Sequence, residues 1–129
     1  MTISVLKMFN NIKNTQKSKK QKIKFYRNKV CENYLKLLWD EGFIDGYKII
    51  NLEKKKIEVF LKYSNTGIPI INSVKFISKP GFKMYFSIKQ IWKLDSTKAF
   101  FIFSTSKGLM SIKNCKKNRI GGELVVVIN

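Results

Sequence analysis

Histidine is absent from the 129 residues, and cysteine occurs only at Cys31 and Cys115. Without an imidazole there is no Ser-His-Asp or Cys-His nucleophile, and the usual zinc-finger spacings are missing too. Two thiols this far apart read as ordinary buried or half-buried side chains in a reducing compartment, not as a disulfide framework. Acidic residues number 8 and do not converge: Asp40 and Glu41 adjoin at a predicted helix end, while Glu53 and Glu58 are scattered. Hydrolytic chemistry needs a convergent carboxylate set or a metal site, so no enzyme is expected. Nothing calls for a cofactor, a metal or a small-molecule substrate. No apolar run approaches the roughly 20 residues of a membrane span. The start, MTISVLKMFNNIKNTQ, is amphipathic and basic but lacks the arginine of a mitochondrial presequence, and it reads as part of the mature fold.

What is abundant is positive charge. Lys and Arg total 26, giving a formal net charge of +18, and only Arg27 and Arg119 are arginines. Such a field on so small a body points to a polyanion, nucleic acid first and an anionic membrane surface second. Hydrophobic residues make up 44% of the chain, which suits a modest packed core. The length suits one domain or two small lobes. The bias toward Lys, Ile, Asn and Phe reflects an AT-rich genome, as in an organelle or an AT-rich microbe.

The apolar spacing predicts a helix over Ile3 to Ile12, followed by a polar, basic loop at NTQKSKKQK. KIKF, Lys22 to Phe25, fits a short strand. Asn28 caps a second helix that runs to Asp40 and stops at Gly42. The segments FIDGYKIIN, KIEVFLKYS and IINSVKFISK then read as strands of one small antiparallel sheet beneath the two helices. The Pro-Gly turn of KPGF, Lys79 to Phe82, marks a boundary between lobes. Beyond it come one helical turn in IKQIWKL, a strand from Ala99 to Ser104, a basic helix in MSIKNCKKNR and a buried terminal strand in GGELVVVIN.

Three motifs are suited to RNA. In STSKG, the hydroxyls of Ser104, Thr105 and Ser106 can meet sugar, phosphate or base edges beside Lys107, with Gly108 allowing close approach. The same residues could equally form a strand-ending turn that satisfies its own backbone. Tyr85, with Lys79 and Lys83 nearby, could stack on an unpaired base or pack in the core against Trp92. In IGGE, Gly121 and Gly122 permit a close backbone approach or a simple turn, and Glu123 could accept from a base amino group or orient Lys107 or Arg119.

In order along the chain, NNIKN, DEGFI, SKPGFKMY, STSKGLM and IGGE resemble the bacterial-type small-subunit ribosomal protein eight family. The resemblance covers nearly the whole chain. It implies an α+β fold of two lobes: helices on a three-stranded sheet over residues 1–78, and a mainly β, RNA-binding lobe with a short helix over 79–129. It implies binding to a helix in the central domain of small-subunit ribosomal RNA, beside neighbouring small-subunit ribosomal proteins, in support of assembly and translation. Carried over by position, the RNA-binding residues are Ser104, Thr105, Ser106, Lys107, Gly108, Tyr85, Gly121, Gly122 and Glu123, with Lys83 flanking the tyrosine. Lys13 and Asn14 match the family's first-helix ending, and Lys29 its second-helix lysine, where Asn28 replaces a serine. Lys7, Lys13, Ala99 and the Met110–Cys115 segment depart from the family's usual residues. Composition and length fit an organellar member, mitochondrial first, with a plastid or a bacterium as the alternative.

Overall fold

The computed structural model describes residues 3–26, 28–51, 53, 55–78 and 81–129. Lys79 and Pro80 of the Pro-Gly turn, Arg27, and Lys54 of a basic run lie outside the described residues. The chain divides into two compact units, Thr2–Asn72 and Ser73–Asn129. The fold is α+β.

In the first unit, α1 (Ile3–Lys17) buries Val5, Met8, Phe9 and Ile12 on one face. The helix runs past Ile12, through residues whose polarity predicts a loop. Gln16 explains the extension: it falls one turn beyond Ile12, is 1% exposed, and donates from Nε2 to the Lys62 carbonyl at 3.4 Å. A polar side chain thus completes an apolar stripe.

Helix α2 (Lys29–Asp40) begins as its sequence predicts, with Asn28 Oδ1 accepting from the Val30 N–H at 2.9 Å. It closes at Gly42, whose φ of +81° suits glycine, and the Phe43 N–H returns to the Leu38 carbonyl at 2.8 Å. Cys31, Tyr34, Leu35, Leu37 and Leu38 are buried, and Tyr34 meets Phe9 edge-on at 5.8 Å.

The sheet of this unit contains β1 (Lys22–Tyr26), β2 (Ile44–Asn51) and β3 (Lys56–Leu61), antiparallel in the order β1-β3-β2. Its third member is therefore the short KIKF segment, not IINSVKFISK. The latter supplies β4 (Val74–Phe76), which pairs with the last strand of the chain in the second unit. Local alternation identifies a strand but not its partner, and the partner here lies some fifty residues away in sequence, so the pairing is set by tertiary packing.

The second unit continues with β5 (Tyr85–Phe86), α3 (Ile88–Trp92), β6 (Phe100–Thr105), β7 (Gly108–Ser111), α4 (Ile112–Asn118) and β8 (Gly122–Ile128). Strand β8 is central: β6 takes one edge, while β4 and β5 share the other, at opposite ends of the strand. Ile91, Phe103, Met110, Ile112, Cys115 and Leu124 form the core, joining both short helices to the sheet. Each helix starts on a serine cap, Ser87 for α3 and Ser111 for α4.

Candidate nucleic-acid interface

The apolar run before STSKG is β6, and its burial fixes everything that follows. Ile102 and Phe103 are fully buried, so the strand end that leaves the core is held at its base. The chain reverses through Ser106 and Lys107, with Thr105 and Gly108 as the last cross-strand pair of the β6–β7 hairpin. Neither Ser106 nor Lys107 takes positive φ; the positive φ falls on the next residue, Gly108, at +101°, as in a type I turn followed by a left-handed glycine.

The three hydroxyls divide into separate roles. Thr105 Oγ1 donates to the Gly108 carbonyl at 2.8 Å and accepts from the Lys107 N–H at 3.1 Å. It is thus engaged in holding the tip closed. Ser106 and Lys107 are exposed at the tip itself, and a Cβ on Gly108 would meet nothing within 4 Å. The turn-forming reading of STSKG holds for Thr105, while Ser106 and Lys107 stay exposed to solvent.

Tyr85 does not pack with Trp92 in the core. The two rings are 70% and 59% exposed, and Trp92 instead carries the Lys116 ammonium 5.0 Å above its ring. Tyr85 lies opposite Glu123, which in turn lies opposite Ser104 on the far edge of β8. Residues paired directly across antiparallel strands share a face. The register therefore assembles Tyr85, Glu123, Ser104 and then Leu109 into one row across four strands, near the hairpin tip. Sequence spacing alone cannot show this row, because β5 is only two residues long.

Tyr85 is fixed from behind by a residue the sequence did not single out. Ser78 is 2% exposed; its Oγ donates to the Leu124 carbonyl at 2.6 Å and accepts from the Met84 N–H at 3.2 Å. Met84 also accepts from the Leu124 N–H at 2.9 Å. These bonds bind the residue before Tyr85 to β8, leaving Lys83 exposed beside it.

The glycines of IGGE meet the protein's own backbone. A Cβ on Gly122 would stand 2.8 Å from the Ser104 carbonyl oxygen and 2.9 Å from Thr105 Cγ2. On Gly121 it would stand 2.7 Å from the Phe86 carbonyl oxygen. Their small size lets β8 sit against β5, α3 and the base of the hairpin. Among the described residues, no ion pair joins Glu123 to Lys107 or Arg119; Glu58 pairs with Lys22 and Lys24, and Asp95 with Lys98.

Lys13, Asn14 and Lys29 belong to the first unit. Lys13 is half-buried on α1 and Asn14 exposed, while Lys29 opens α2. Lys29 lines a cleft of about 510 Å³ with Glu32, Asn33, Lys36, Tyr47 and Lys55, so three lysines there surround one carboxylate. The amphipathic face of α1, which fits a membrane surface by composition, is buried in this unit's own core. No helix among the described residues is long and apolar enough to cross a membrane, and no cluster of three or more His, Cys, Asp or Glu side chains there could hold a metal ion.

The chain matches known proteins over nearly its whole length. The family model for ribosomal protein S8 matches residues 4–129. The small ribosomal subunit protein uS8 of Nitrosomonas eutropha is 36% identical over 129 residues, covering 99% of this chain and 98% of its own. The uS8 of Malacoplasma penetrans is 37% identical over 119 residues, covering 91% and 90%. That of Ehrlichia ruminantium is 38% identical over 117 residues, covering 89% and 88%.

Proposed function

Because the chain belongs to the ribosomal protein S8 family, we propose that it is a structural, non-catalytic constituent of the small ribosomal subunit that binds small-subunit ribosomal RNA. The single observation that carries the assignment is the whole-length match to proteins named for that subunit. The site's geometry supports it: a rigid hairpin presents Ser106 and Lys107, beside a row bearing exposed Tyr85.

The RNA-reading role belongs to the lobe over residues 79–129. A regular A-form helix hides its base edges in a deep, narrow major groove, so a protruding tip needs an irregular or widened site. A helix of the central domain with such an interruption is the target in our reading. Ser106 and Gly108 contribute discrimination through hydroxyl and close backbone contacts, and Tyr85 offers a stacking surface. Ser104 and Glu123 line the approach. Thr105, Gly121 and Gly122 act by shaping it. Lys13, Asn14, Lys29, Lys83 and Lys107 supply the salt-sensitive attraction to phosphate.

As to location, the ribosome is one of bacterial type. The excess of lysine over arginine, with abundant Ile, Asn and Phe, supports an AT-rich genome; a mitochondrial ribosome rests on that composition, and a bacterial cytoplasm accords with the bacterial relatives. Neighbouring small-subunit proteins would share the assembled particle.

Cross-linking the protein to RNA in its native source, followed by sequencing of the bound fragments, tests the assignment. One dominant peak in the central domain of a small-subunit rRNA is expected. Cross-links dispersed over unrelated transcripts would refute it.

A further inference from the structure

The three-stranded sheet of the first unit has two unlike faces. Ile57, Val59 and Leu61 of β3 are buried on the face that meets the helices. On the opposite face, register places Glu58 between Lys24 on β1 and Lys48 on β2. Lys56 pairs with Tyr26 at one end of this face, and Lys22 with Phe60 at the other. From this arrangement we infer that the open face of the sheet is a second RNA-binding surface, which takes an unpaired stretch of RNA with its phosphates on the lysines and a base on Tyr26.

A purely solvated sheet face would alternate charges across strands, since opposite charges paired there stabilise and like charges repel. This face instead gathers four lysines, Lys22, Lys24, Lys48 and Lys56, around the single carboxylate of Glu58, an excess of three positive charges. Glu58 is only 6% exposed, with Lys22 and Lys24 at 3.7 and 4.0 Å from its oxygens. The carboxylate holds two ammonium groups in place without neutralising the face. Such pre-positioning lowers the ordering cost of binding a phosphate.

Aromatic rings lie among these cations. The Lys56 ammonium sits 5.6 Å from the Tyr26 ring centre, and Lys48 sits 5.7 Å from that of Phe60. Tyr26 is 72% exposed, so one ring face remains open to a base. Flat rings on a sheet flanked by cations suit single-stranded RNA, whose bases stack without sequence preference while its backbone tracks the charge. An acidic protein surface would gain the charge but leave Tyr26 unused.

This inference rests on the RNA-binding reading above and adds a site far in sequence from the hairpin tip. The test uses the full chain with two probes: an unstructured oligouridylate of about 15 nucleotides, and a transcript of the central domain of a bacterial small-subunit rRNA. The triple variant Lys24→Gln/Lys48→Gln/Lys56→Gln should weaken oligouridylate binding at least about tenfold and flatten its log–log salt slope by about 2. Tyr26→Ala should weaken it by about fivefold or more through lost stacking, and decides alone if the triple variant loses its fold. Unaltered oligouridylate affinity in a folded triple variant or in Tyr26→Ala overturns the inference, as does binding of these residues to anionic phosphatidylserine vesicles and not to RNA. Failure of the wild type to prefer the rRNA transcript would instead overturn the functional reading itself.

Discussion

The Thr105 hydroxyl donates to the carbonyl oxygen of Gly108 at 2.8 Å, closing the β6–β7 hairpin from within. Because the same oxygen accepts from the Lys107 N–H, the tip is ordered before any partner arrives. Thr105→Val keeps the shape and removes both bonds, together with the hydroxyl's 3.2 Å contact to Met110 Sδ. It should cost about 1 kcal/mol, the usual net worth of such bonding. Thermal melts of the two proteins check this, and a Tm equal to wild type would show that the tip does not depend on Thr105.

Gly122 and Gly108 should fail differently when given a side chain. Gly122→Ala drives a Cβ to 2.8 Å from the Ser104 carbonyl oxygen, a backbone neighbour that cannot turn away. A loss of about 1–3 kcal/mol follows from such overpacking. Gly108→Ala meets open space and suffers only from its φ of +101°, about 1–2 kcal/mol of local strain. Urea denaturation distinguishes them when paired with a structure of each variant: β8 should shift away from β6 only in Gly122→Ala.

Ser78 should prove structural despite its hydroxyl. Its Oγ is buried between the Leu124 carbonyl and the Met84 N–H. Ser78→Ala leaves both groups without that partner, at a cost of about 1–3 kcal/mol. Hydrogen exchange should speed up at Met84, where the N–H loses its acceptor. Unchanged exchange there would remove Ser78 from the account of how Tyr85 is held.

Burial raises the thiol pKa of both Cys31 and Cys115 above the ordinary 9.0. The unfolded chain therefore releases these protons first as pH climbs. Their contribution to stability is complete below about pH 8 and is lost as pH rises through the folded-state values. Unfolding free energy measured at pH 7.5 and pH 10 should fall, and Cys31→Ala/Cys115→Ala should flatten that slope. Native thiols should also react slowly with a thiol reagent at neutral pH.

Much of this was legible before the structure. The α2 helix follows from its apolar spacing, its Asn28 cap and Gly42, because each signal is local. Strand β6 follows from a greasy run that ends in polar turn residues, whereas β7 does not: Met110 and Ser111, read as the start of a helix, are its last two residues, drawn into the sheet by pairing with Phe103 and Ile102. The length of α1 was not legible, since Gln16 is polar and its burial depends on Lys62, far along the chain. Nor was the pairing of Val74–Phe76 with β8, because strand partners are chosen by the assembled core. The site divides similarly. Tip residues stand in one motif, while the Tyr85–Glu123–Ser104 row exists only through register. The glycines of IGGE were visible as a tight spot, but only the fold shows that Ser104 and Phe86 occupy it.

The central claim is that the exposed tip reads a particular RNA while the lysines supply general attraction. Dissociation constants of wild type and Ser106→Ala, on the central-domain transcript and on a scrambled RNA of equal length at one salt concentration, test it directly. Loss of one specific hydrogen bond should weaken binding to the cognate transcript by about tenfold and leave the scrambled RNA within about twofold. Equal losses on both RNAs would contradict it.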